Sequence, residues 1–82
     1  MSFRVIYEAE ARAEFREAVG RYEQQVPGLG VRLVGMVDAL MSTIASEPYR
    51  FAKVGRHSRK ARVLGWPYSI FFSFSEWPLD KS

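Results

Sequence analysis

The sequence predicts an α+β domain of order β-α-α-β-β, an antiparallel helical hairpin packed on a small, mainly antiparallel sheet. Three observations predict it. The first residues alternate with period two; two later stretches carry apolar residues at helical spacing, separated only by Pro27-Gly28-Leu29-Gly30; and two strand-like runs flank Gly65-Trp66-Pro67.

Taken in order, Ser2 to Tyr7 sets Phe3, Val5 and Tyr7 against Arg4 and Ile6, and its aromatic and branched residues favour a strand. From Glu8 the period changes. Ala11, Phe15, Ala18, Val19, Tyr22 and Val26 form one helical stripe, which predicts a first helix over about 9 to 25. Pro27 cannot continue the helical hydrogen bonds, and the glycines after it permit positive φ. Leu33, Val34, Val37, Leu40, Met41 and Ile44 then repeat the stripe until Ser46-Glu47-Pro48, predicting a second helix over about 30 to 46. So short a connection forces the helices antiparallel. Phe15 and Leu40, in mid-stripe, are expected in the core.

Tyr49 to Ser58 is basic and irregular. Arg59 to Leu64 and Tyr68 to Phe74 read as a β-hairpin, with Tyr68, Ile70, Phe72 and Phe74 on one face and Ser69, Phe71 and Ser73 on the other. The tail from Glu76, interrupted by Pro78, is not expected to add a central strand.

The chain has 82 residues, so residues 1–82 are expected to form one domain around one core; 48% apolar and 26% charged residues fit a globular chain. With no cysteine and one histidine, His57, neither a disulfide framework nor a zinc centre is expected. The N-terminus lacks a basic-then-apolar leader, and purely apolar runs are short, so a cytoplasmic protein with no membrane partner is expected.

Charge is unevenly placed. The net charge is +3, yet residues 1–47 carry five Arg against six Glu and Asp38, whereas residues 48–82 carry seven Lys or Arg against Glu76 and Asp80. From Arg50 to Arg62 lie six basic residues and no acid. Such a segment implies an anionic partner, either an acidic protein segment or a nucleic-acid backbone.

Several strings, in this order and spacing, resemble a known family. They are Ala11-Arg12-Ala13-Glu14-Phe15-Arg16-Glu17-Ala18 with Tyr22-Glu23, then Pro27-Gly28-Leu29-Gly30, then Ile44 with Glu47-Pro48 and Phe51, then Arg59-Lys60-Ala61-Arg62-Val63 leading to Trp66-Pro67-Tyr68-Ser69-Ile70-Phe71-Phe72. Over about residues 3 to 74 the chain resembles the ParE/RelE superfamily of bacterial type II toxins, also called plasmid stabilisation proteins, and looks closer to the ParE branch. Trp66 stands where the family commonly has Phe. Past the Pro-Tyr strand, members normally add a further strand, in place of which this chain has Glu76 to Ser82. The resemblance therefore implies a shortened or replaced C-terminal strand.

What the resemblance implies is the toxin of a toxin-antitoxin pair, acting as ParE-like members do by binding a target such as DNA gyrase, without a cofactor and without a catalytic set, and neutralised by a cognate antitoxin. Its implied target- or antitoxin-binding residues are Arg56, Arg59, Lys60, Arg62, Trp66 and Tyr68. Arginine with exposed aromatics is a common interface composition, and core or turn packing competes as the reading of Phe51 and Trp66. Antitoxin acids are expected against Arg59, Lys60 and Arg62, with apolar antitoxin residues along the helical hairpin. The alternative is a RelE-like ribosome-dependent ribonuclease, in which His57, the one imidazole of the chain, is the candidate acid/base group. A degenerate member that only binds antitoxin is a third reading. Without the family's last strand, an open apolar edge is expected beside residues 68 to 74, inviting a homo-oligomer or a partner strand.

Overall fold

The computed structural model describes residues 2–77, with only the backbone described at residues 2, 9–11 and 77. The tail residues from Pro78 lie outside the described residues. The order is β1 (Ser2–Tyr7), α1 (Ala9–Gln25), α2 (Leu29–Ser46), a short 3-10 turn (Pro48–Arg50), β2 (Ala52–Lys53), β3 (Arg59–Val63) and β4 (Tyr68–Trp77). The β-α-α-β-β, α+β architecture is present as the sequence predicts, and β2 is a two-residue addition within the segment read as irregular.

The helical hairpin is held at its turn by one carboxylate. Gly28 adopts φ +91°, a left-handed conformation open to glycine, and has no side chain with which to cap α2. Glu23, near the end of α1, supplies the cap: Gly28 N–H donates to its Oε2 at 2.7 Å and Val31 N–H to its Oε1 at 3.2 Å. The bond from Gly28 holds the Glu23 carboxyl below its ordinary value, helped by Val31 and Gly30 and opposed by partial desolvation. Gly30 serves differently from Gly28. A Cβ there would lie 2.6 Å from the Val19 carbonyl oxygen, so its bare backbone is what lets the helices approach.

The sheet is antiparallel in the order β1-β4-β3-β2, and β4, its longest strand, is interior between β1 and β3. Its two neighbours are staggered. β1 covers Phe72 to Trp77, β3 covers Tyr68 to Phe72, and only Phe72 is paired on both sides, with Tyr7 and Arg59. Two expectations change here. The strand does not stop at Phe74, because β1 offers a partner out to Trp77; and the open edge expected beside residues 68 to 74 is closed by β1 from Phe72 onward, remaining only beside the first residues of β4.

Both helices lie on one face of the sheet. Ala18, Leu33, Val37 and Val63 form one buried cluster, and Ile44, Ala61 and Phe72 a second, with Leu40 and Ile70 packed against both. Phe15 and Leu40 are half-buried and not the centre of the core; Leu33, Ile44 and Phe72 occupy it. The difference follows from helix orientation, since α2 lies on the sheet and α1 packs chiefly on α2, so that Ala18 alone among the described residues of α1 is fully buried. Helix α2, 18 residues at mean hydropathy 1.4, is long and apolar enough by length and composition to cross a membrane. In this fold its stripe of Leu33, Val37 and Ile44 is buried in the two clusters instead.

Candidate functional site

Strand alternation divides the basic segment. Lys60 and Arg62 sit opposite Phe71 and Ser69 and are exposed on the face of the sheet that carries no helix among the described residues. By register the same face carries Ser73, Ser75, Ile6 and Arg4, with no acid among them. The Lys60 ammonium lies 5.9 Å from the Phe71 ring centroid, and Ile6 is 62% exposed. The result is a basic surface with an apolar strip through it.

Arg59 points the other way. Its Nη1 donates to the Phe51 carbonyl at 2.7 Å and to the Tyr49 carbonyl at 3.2 Å, and its guanidinium stacks 5.3 Å from the Phe74 ring centroid. It ties the segment after α2 to β3. Of the three residues expected against antitoxin acids, Lys60 and Arg62 share a face and Arg59 lies on the other. Arg56 and His57 are exposed in the β2–β3 loop. With Lys53, Ser58, Arg59, Ser73 and Phe74 they line a cavity of about 210 Å³ where β4 continues past the end of β3.

Trp66 and Tyr68 form a separate cluster on the helix side. The Trp66 ring meets Tyr22 edge-on at 5.0 Å, Tyr68 meets Tyr22 at 6.3 Å, and Arg21 donates to the Tyr68 hydroxyl at 3.3 Å. The hydrogen bond with Tyr68 raises the Tyr22 hydroxyl above its ordinary value, as does partial burial. Trp66 also lines a cleft of about 450 Å³ between α2 and the 64–67 turn, with Leu29, Arg32, Met36 and Leu64. Leu64 is 73% and Val31 68% exposed there and along α2.

The six residues proposed from sequence therefore fall in three places: Lys60 and Arg62 on the helix-free face, Arg56 in the loop with Arg59 behind it, and Trp66 with Tyr68 against α1. Arg21 and Tyr22 were missed as partners of Tyr68. Helical spacing marks Tyr22 as apolar stripe and Arg21 as surface, and only the packing of α1 over the 64–67 turn brings them to β4. Compared with known proteins, the chain matches no protein-family model, no curated protein and no solved structure.

Proposed function

We propose that this chain is a ParE-like toxin of a bacterial type II toxin-antitoxin system, cytoplasmic, acting by binding a target such as DNA gyrase and neutralised by a cognate antitoxin. The observation that carries the reading is the helix-free face, where Lys60 and Arg62 lie beside Phe71 and Ile6 without an acid among them. A basic face with an apolar strip suits an anionic macromolecular partner better than a small substrate. The resemblance described above supplies the family.

The antitoxin has a second region suited to it. The cleft by Trp66, lined by the exposed Met36 and Leu64, supports apolar docking along the helical hairpin, and Arg32 in it can take an acid. The RelE-like ribonuclease reading is favoured by one specific feature, the loop cavity that gathers His57 with Lys53 and Arg56.

Adding the purified protein to DNA gyrase in a supercoiling assay and to translating ribosomes separates the readings. Gyrase inhibition with intact message supports the ParE-like reading. Message cleavage abolished by His57→Ala supports the alternative, and activity in neither assay leaves a family member that only binds antitoxin.

A further inference from the structure

Among the described residues, β4 has no strand partner on its β1 side before Phe71. β1 leaves the sheet after Tyr7, with one further bond from Glu8 N–H to the Phe71 carbonyl at 3.2 Å, and the register places no β1 residue opposite Ser69. The amide and carbonyl of one strand residue point to the same side, and alternate residues repeat the direction. Ser69 therefore presents its backbone groups where Phe71 does, away from β3. What lies there is a cavity of about 160 Å³ between the sheet, α1 and α2. Phe15, Val37, Met41 and Ile70 make it apolar, and Glu8, Glu14 and Asp38 outnumber Arg12 around it.

These are independent features with one implication. A dry cavity of about 150 Å³ accepts a benzene-sized group, so this one takes a single leucine- or phenylalanine-sized side chain. An unpaired strand edge takes an extended backbone. We propose that this groove docks an extended peptide of a partner protein, which adds a short strand beside Ser69–Phe71, places one large apolar side chain in the cavity and sets basic residues against Glu8, Glu14 and Asp38. The charge of the rim selects the occupant: it is the reverse of the helix-free face, so an acidic segment suited to Lys60 and Arg62 is repelled here. The site does not depend on what the helix-free face binds.

The test is an amide-resolved NMR titration of the full chain with the capped peptide Lys-Thr-Leu-Thr-Lys, whose leucine and lysines share one face when extended. The Ser69 and Phe71 amides should shift and exchange more slowly. Methylating the peptide's backbone amides one at a time should weaken binding at least about tenfold at one position, since a ladder bond is lost, and replacing its leucine by aspartate should do the same. S69P removes the open donor without touching the β3 ladder and should abolish binding. D38K, on the exposed face of α2, leaves the fold in place and should weaken binding mainly at low salt. Shifts confined to Lys53–Arg62, equal binding by every methylated peptide, or unchanged binding by both variants would overturn the proposal. So would protection of Ser69 that grows with protein concentration before any peptide is added, which would mean a second copy fills the groove.

Discussion

The two faces of the β3–β4 hairpin are built from alternate residues of the same strands, yet one is packed into the core and the other is left to solvent. Inward, Val63, Ala61 and Arg59 pair with Tyr68, Ile70 and Phe72, and the rings of Tyr7, Phe51 and Phe74 close around Phe72. Outward, Arg62 and Lys60 pair with Ser69 and Phe71 and face no helix. Arg59 and Lys60 are neighbours in sequence and carry the same charge. Their roles differ because the pleat turns one toward two backbone carbonyls and the other toward solvent. Charge alone does not tell which basic side chains are presented on the surface; charge and strand parity together do.

The largest difference should appear between two adjacent phenylalanines. Phe72 is 1% exposed at the centre of the inner face, so Phe72→Ala should cost about 3–5 kcal/mol, which approaches the whole stability of a domain this small. Phe71→Ala, on the outer face, should cost under about 1 kcal/mol. Comparable losses by chemical denaturation would break the division of the faces.

Gly30→Ala tests the layer above the inner face. A methyl driven toward the Val19 carbonyl must part the helices, and a loss of about 1–3 kcal/mol is expected. Gly35→Ala, with open space around the position, is the control and should be neutral or slightly stabilising.

Among the basic residues, Arg59→Met should lose about 1–3 kcal/mol, because it leaves the Phe51 carbonyl in part-buried surroundings without its donor. Lys60→Met and Arg62→Met should stay within about 0.5 kcal/mol of the parent. Equal losses at all three positions would show that Arg59 holds no special place.

The smallest effect is expected at the hairpin turn. Because the folded Glu23 carboxyl titrates below its ordinary value of 4.5, its contribution is fully present above that value and is lost as pH falls through the lower, folded value. Glu23→Gln should lower the melting temperature slightly at neutral pH and narrow the gap to the parent in acid. A constant difference at every pH would contradict the capping role.

Element order and helix bounds were legible because the stripes of α1 and α2 and the breaks at Pro27 and Pro48 are local signals. The parity of β4 was legible too, since Tyr68, Ile70, Phe72 and Phe74 share the inner face as their spacing predicts. Strand neighbours were not. Nothing near Phe74 tells that β1, some seventy residues earlier, pairs along β4 as far as Trp77. The inward turn of Arg59 depends on two carbonyls, of Tyr49 and Phe51, whose position is set by how the chain leaves α2. The Arg21–Tyr68 contact likewise spans 47 residues and exists only once α1 lies over the 64–67 turn.

The central claim is that the helix-free face binds while the inner face folds. Its most direct test is growth of bacterial cells induced to express the parent or the Lys60→Glu/Arg62→Glu variant, with both proteins purified and melted in parallel. Growth arrest by the parent, relief by the variant and melting temperatures within a few degrees are the predicted result. Equal arrest by a folded variant would contradict it.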